Sequence, residues 1–159
     1  MFYHEFLMQG YHYVIAATDS GLSFVGSRDK GLAELQSFYP NVKLIDQVSQ
    51  VQPYQKQIDE YLKGDRKQFT LKTDISGTDF QQKVWQALRE IPYGKVRTYS
   101  EIAEAIDRPK AYRAVGTAIG KNPILMVVPC HRVLTKNHQL GGFRGGLAMK
   151  NDLLDLEKN

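Results

Sequence analysis

Thr98-Tyr99-Ser100-Glu101-Ile102-Ala103-Glu104-Ala105-Ile106-Asp107-Arg108-Pro109 is the stretch on which the fold turns. A threonine followed three residues later by a glutamate is a capping box, in which each side chain satisfies the other residue's backbone N–H at the start of a helix. Ile102, Ala105 and Ile106 then recur at helical spacing, which predicts a short amphipathic helix. Asp107-Arg108-Pro109 breaks it, because proline lacks an N–H and restricts the residue before it. A further helix is expected from about Lys110 to Gly120, ending before Asn122-Pro123. Short helix, tight turn and helix make a helix-turn-helix pattern, and an αα-hairpin with no special role carries the same local signature.

Working outward, Thr78 and Gln81 form a second capping box, and Phe80, Val84, Ala87, Leu88 and Ile91 repeat at helical spacing until Pro92-Tyr93-Gly94. Trp85 on this helix reads as core packing. On the other side, Ile124-Leu125-Met126-Val127-Val128 is a continuous apolar run, expected to be a buried strand or extended segment. It leads into Pro129-Cys130-His131-Arg132. The glycine-rich loop Gly141-Gly142-Phe143-Arg144-Gly145-Gly146 follows, and a last helix starts near Leu147 and carries Leu153, Leu154 and Leu156.

Ser76-Gly77 marks the expected boundary with the first half. There, Tyr11, Tyr13 and Ile15 alternate at strand period, Asp19-Ser20-Gly21 signals a turn, and Leu22–Val25 would return antiparallel. Leu32, Leu35 and Phe38 suggest a short helix. Tyr54, Ile58, Tyr61 and Leu62 suggest a stronger one, with Pro53 in its first turn and Gly64 at its C-terminal cap. Gln68–Leu71 is a candidate strand. His4, His12 and the carboxylates of this half show no spacing that suggests chemistry. The expected fold is therefore α/β of the α+β kind: a small N-terminal α/β domain over 1–77, and a C-terminal helical, winged-helix-like domain with the helix-turn-helix over 78–159.

Composition narrows the function class. The chain has 159 residues, 42% apolar and 24% charged, as in ordinary globular proteins. Residues 1–77 hold 8 Lys and Arg against 9 Asp and Glu, whereas residues 78–159 hold 13 against 8. The basic half is the half with the motifs, which suggests a polyanionic partner. No apolar run approaches the roughly 20 residues of a membrane span. The N-terminus lacks the basic and apolar regions of a secretory signal, so a cytoplasmic address and no membrane partner are expected. One cysteine allows no internal disulfide and no Cys-rich zinc site.

A lone cysteine is usually a small buried hydrophobe. Three features of Cys130 point elsewhere. Pro129 before it disfavours regular interior structure, and His131 and Arg132 follow it. A free thiol is only a few per cent thiolate at neutral pH, and an imidazole that takes its proton raises that fraction. Adjacent residues rarely face each other, so His131 must act through a turn or a bridging water, and the water is the favoured route. A histidine base needs an orienting acceptor, for which Glu157 in the last helix is the candidate.

Val128-Pro129-Cys130-His131-Arg132-Val133 resembles the active-site signature of the O6-alkylguanine-DNA alkyltransferases, or methylated-DNA–protein-cysteine methyltransferases. Tyr99, Arg113-Ala114-Val115-Gly116, Asn122-Pro123, Gly145-Gly146-Leu147-Ala148 and Glu157 extend the likeness in the family's order and spacing, over nearly all of residues 78–159. Residues 1–77 resemble the family only in length and coarse pattern.

The resemblance implies a DNA-repair methyltransferase in which Cys130 accepts the alkyl group once, irreversibly. His131 would draw off the thiol proton through water, Glu157 would hold His131, and Asn122 would brace the turn. Tyr99 would hydrogen-bond the base or assist the leaving guanine, and would crowd the phosphate 3′ to the lesion. Arg113, flanked by Ala114 and Gly116 on the second helix, would enter the duplex in place of the flipped base. Met126, Val133, Phe143 and Arg144 would line the substrate pocket, with the carbonyls of Cys130 and Val133 accepting from the guanine amine and the loop backbone donating toward O6. The implied partner is double-stranded DNA containing O6-alkylguanine, bound through the minor groove by a monomer.

Two positions depart from the family's habit: Phe143 stands where many members have tyrosine, and Arg144 where many have a small residue. Some relatives bind zinc through N-terminal cysteines, which this chain lacks, so no metal and no cofactor are expected. The rival functions are a non-catalytic binder of alkylated DNA, a helix-turn-helix regulator and a thiol hydrolase built on Cys130 and His131.

Overall fold

The computed structural model describes residues 1–158. It is a mixed α+β protein with two compact units, one holding Met1–Ile75 together with Pro123–Leu125, the other Ser76–Asn122 and the chain from Met126 onward. Among the described residues no helix is long and apolar enough to cross a membrane.

The first unit is built on a four-stranded sheet. Strands β1 (Phe2–Met8) and β2 (Tyr11–Thr18) pair antiparallel through a two-residue loop. That loop, Gln9-Gly10, has φ of 49° and 84°, the two positive values that a hairpin turn matched to strand twist requires. Strand β3 (Gly21–Val25) adds antiparallel to β2, and β4 (Ile45–Asp46) adds parallel to β1, giving the order β3-β2-β1-β4. Helix α1 (Gly31–Phe38) places Leu35 against Val14, Ala16 and Phe24. The alternate residues Tyr13, Ile15 and Ala17 are also buried, so both faces of β2 are covered, with helix α2 (Val48–Leu62) packing on β1 and β2. Truncating a side chain such as Phe24 in this core costs about 3–5 kcal/mol.

Three sequence expectations fail here. Helix α2 begins at Val48, so Pro53 lies inside it rather than in its first turn. Pro53 is solvent-exposed, and the bond it cannot donate is lost on the wet side of the helix. Gln68–Leu71 is not a strand; the pairing in that region is a lone parallel bridge between Thr73 and Leu22. The apolar run 124–128 is not one continuous strand. Ile124 bridges Val25 and Pro123 accepts from the Val25 N–H at 3.0 Å, but Met126 takes a φ of 71° and turns the chain. Apolar composition predicts burial, and it does not fix which backbone conformation is buried.

The second unit starts with α3 (Asp79–Arg89), and the Thr78–Gln81 capping box is formed as the sequence indicates. Val84, Trp85, Ala87 and Leu88 are buried, and Trp85 Nε1 donates to the Ala118 carbonyl at 2.9 Å, which ties α3 to α5 (Tyr112–Gly120). Helix α4 (Tyr99–Ala105) carries the second capping box, Thr98 with Glu101, and packs on α5. Two short parallel strands, β5 (Arg97–Thr98) and β6 (Val133–Leu134), follow no sequence signal. Helix α6 (Leu147–Glu157) closes the unit.

Candidate active site

The cysteine sits at the end of two consecutive tight turns. Pro129 has φ −80° and ψ 62°, and the Cys130 N–H donates to the Val128 carbonyl at 2.8 Å, the geometry of an inverse γ-turn. Proline suits its centre because the ring already fixes φ near that value. Cys130–Arg132 then form a single 3₁₀ turn, closed by Arg132 N–H on the Pro129 carbonyl at 3.0 Å. Asn122 braces this corner: its amide nitrogen donates to the Val128 carbonyl at 2.9 Å and to Cys130 Sγ at 3.2 Å. Asn122 is fully buried and Cys130 is 3% exposed.

Behind the sulfur lies a buried ionic cluster. His131 Nε2 meets Glu157 Oε2 at 2.6 Å. Arg132 grips the same carboxylate with Nε at 2.8 Å and a terminal nitrogen at 3.0 Å, and its other terminal nitrogen donates to the Ile91 carbonyl at 2.7 Å. The Gly94 N–H also points at Glu157, at 3.3 Å. A carboxylate only accepts, so Nε2 carries the hydrogen, and Nδ1 is the ring nitrogen that can take up a proton.

Burial acts on both partners of the would-be proton transfer. It pushes the Cys130 thiol up, partly offset by the Asn122 hydrogen bond and by the cations of Arg144 and Lys150. It holds His131 below the usual imidazole range, with Glu157 pulling the other way. Burial thus works against both charged forms, thiolate and imidazolium alike, and the hydrogen-bond partners Asn122 and Glu157 work for them.

Beside the turn opens a cleft of about 370 Å³ lined by Tyr99, Gly116, Ile119, Gly120, Gly142, Phe143 and Arg144. Tyr99 is the first residue of α4, and β5 ahead of it pairs with β6 just after the 3₁₀ turn, so this short pairing sets Tyr99 next to the cysteine corner. Burial, and then the nearby Cys130, raise the Tyr99 phenol pKa. The glycine loop closes on the Tyr99 ring: a Cβ at Gly141 would fall 2.5 Å from its hydroxyl oxygen. Arg144 donates to the Asn122 carbonyl at 3.0 Å.

Cys130, His131, Glu157 and Asn122 are thus brought together, and Tyr99, Gly116, Phe143 and Arg144 share the cleft. Arg113 and Ala114 lie exposed on α5. Met126 and Val133 are buried and do not line the cleft; Met126 is spent on the turn, and the Val133 carbonyl accepts from Lys150 Nζ at 2.7 Å. Arg132 and Lys150 escaped the sequence reading. Lys150 is fully buried, its Nζ also 3.4 Å from the Gly141 carbonyl, so it straps the glycine loop to β6. Nothing in the spacing of α6 distinguishes it from a surface lysine. Arg132 had one signal, its place beside His131.

Residues 79–159 match the family model of the 6-O-methylguanine DNA methyltransferase DNA-binding domain. The chain is 46% identical to the inducible methylated-DNA–protein-cysteine methyltransferase of Bacillus subtilis, over 99% of this chain and 90% of that protein. It is 41% identical to the methylated-DNA–protein-cysteine methyltransferase of Methanosarcina mazei, over 100% and 98%. Among solved structures, Mycobacterium tuberculosis OGT in complex with DNA superposes with a TM-score of 0.89 at 35% identity, covering 99% of this chain and 93% of that one. A chain with this cysteine corner and these relatives belongs to the methylated-DNA–protein-cysteine methyltransferase family.

Proposed function

We propose that this protein repairs O6-alkylguanine in double-stranded DNA by moving the alkyl group onto Cys130, once per molecule. The observation that carries the reading is the lone cysteine itself, buried at the γ-turn with an Asn122 amide at 3.2 Å and followed by a histidine locked onto a buried glutamate. In the reaction the thiol proton passes through a water to Nδ1 of His131, and the resulting imidazolium is stabilised by Glu157. The sulfur attacks the alkyl carbon, a C–S bond forms, the C–O6 bond breaks, and guanine leaves with the electron pair and takes up a proton. The product is a thioether with no easy reverse, so the protein is consumed.

A guanine within a duplex is out of reach, so the base is flipped at a cost of a few kcal/mol. Arg113, exposed on α5 beside Ala114 and Gly116, enters the gap from the minor groove and offsets part of the lost stacking. Helices α4 and α5 then serve as the helix-turn-helix. The cleft of Tyr99, Phe143 and Arg144 receives the base, with the Cys130 carbonyl reading its amine and the loop backbone facing O6; the Val133 carbonyl, which the resemblance also assigned to that amine, is already held by Lys150. The protein works in this reading as a cytoplasmic monomer. A thiol hydrolase on the same residues would turn over repeatedly, and a regulator would leave the cysteine unmodified. Mixing equal amounts of protein and O6-methylguanine duplex separates these: intact mass should rise by one methyl group per molecule in the native protein and by none in Cys130→Ser. An unmodified cysteine with unaltered lesion would overturn the reading.

A further inference from the structure

We propose that Arg144 is a further working residue of the transfer, a cation that supports the Cys130 sulfur as thiolate from the cleft side. The inference rests on the transfer reading and goes beyond it. Arg144 and Cys130 meet on one residue: Arg144 donates to the Asn122 carbonyl at 3.0 Å, and the Asn122 side chain donates to Sγ at 3.2 Å. Arg144 also lines the cleft with Tyr99 and Phe143, whereas most other positions of its loop are glycines that offer no charge. The sulfur needs such help. His131 behind it shares Glu157 with Arg132, so the carboxylate is already neutralised by a guanidinium and does less to favour an imidazolium.

The groups facing Cys130 are few. Asn122 reaches it from just past the end of α5, Tyr99 from α4, Lys150 from α6 and Arg144 from the loop, with His131 next in the chain and held by Glu157 of α6. Lys150 is held by two carbonyls away from the cleft opening. Among the described residues, Arg144 is a cation near the sulfur that also borders the cleft proposed for the alkyl group and the leaving guanine. A positive charge there favours the thiolate and also the negative charge that develops on the departing base.

The test uses the full chain without DNA. Carboxamidomethylation of Cys130 by iodoacetamide, in which sulfur displaces iodide, is followed by intact mass across pH, because its rate tracks the thiolate. In Arg144→Gln and Arg144→Ser the rate profile should move to higher pH, with roughly tenfold slower labelling at pH 7, while Arg144→Lys stays within about threefold of the native protein. Arg144→Ser removes the charge with a much smaller side chain, so it remains informative should the glutamine variant unfold. A profile unmoved in both neutral variants overturns the proposal, as does lysine behaving like glutamine, since a merely structural role would not follow charge. Methyl transfer from O6-methylguanine duplex, run in parallel on the native protein, reports separately on the transfer reading: its absence alongside a charge-dependent labelling profile would fault that reading alone.

Discussion

At the scale of single residues, the decisive arrangement is one carboxylate serving both an imidazole and a guanidinium. Glu157 accepts from His131 and from Arg132 in a site where its side chain is 2% exposed. Removing one partner of a buried ion pair strands the other, at about 3–5 kcal/mol. Glu157→Gln should therefore lower the urea midpoint and also slow transfer, because a neutral amide cannot stabilise the imidazolium. Adding Arg132→Met should restore much of the stability and little of the rate. Recovery of both together would mean that Glu157 serves the fold alone. The buried imidazole also predicts an acid limb. His131 has its pKa lowered by burial, so between about pH 6.5 and that lowered value the unfolded chain binds a proton that the folded one does not. Stability should then fall with falling pH by up to about 1.4 kcal/mol per pH unit in that window. Denaturation at pH 6.5 and 5.5 should show a smaller drop in His131→Gln than in the native protein. The thiol has the opposite sign: its pKa is raised, so stability falls as pH rises above about 8.5.

At the scale of elements, the capping boxes start the two helices that matter. The Thr78 box starts α3 and the Thr98 box starts α4, whose first residue is Tyr99. Each threonine-to-alanine change should cost about 1 kcal/mol. Thr98→Ala should in addition slow transfer, because it loosens the residue next to Tyr99, whereas Thr78→Ala should leave the single-turnover rate alone. Equal rates in both variants would detach the α4 cap from the chemistry. Helix α5 carries its own prediction. Arg113→Ala should weaken repair in duplex far more than reaction with the free modified base, which needs no flipping. Equal loss on both substrates, measured at one ionic strength, would make Arg113 a support of the fold and end the insertion role.

At the scale of the whole molecule, charge is distributed by half. Residues 78–159 carry 13 basic against 8 acidic side chains and residues 1–77 carry 8 against 9. Phosphate contacts made by the basic half should release counterions, so duplex affinity should fall by about tenfold or more between 50 and 200 mM salt. A salt-independent affinity would contradict binding through that half. The same division by distance explains what could be read in the chain before its structure. Both capping boxes, the helices α3 to α6 and the alternation in β2 rest on residues within a few positions of one another, and periodicity records them. Cys130, His131 and Glu157 stand out by chemical type, and their grouping came from the family resemblance and the need for an acceptor. What the tertiary structure alone decided lies farther apart. Arg132 meets Glu157 across 25 residues and Ile91 across 41, and Lys150 reaches Val133 across 17. Met126 adopts a positive φ, and two two-residue strands pair in parallel, with no composition that asks for either. A sequence determines local conformation through near neighbours, whereas the burial that turns Lys150 and Arg132 into site residues exists only once distant segments pack.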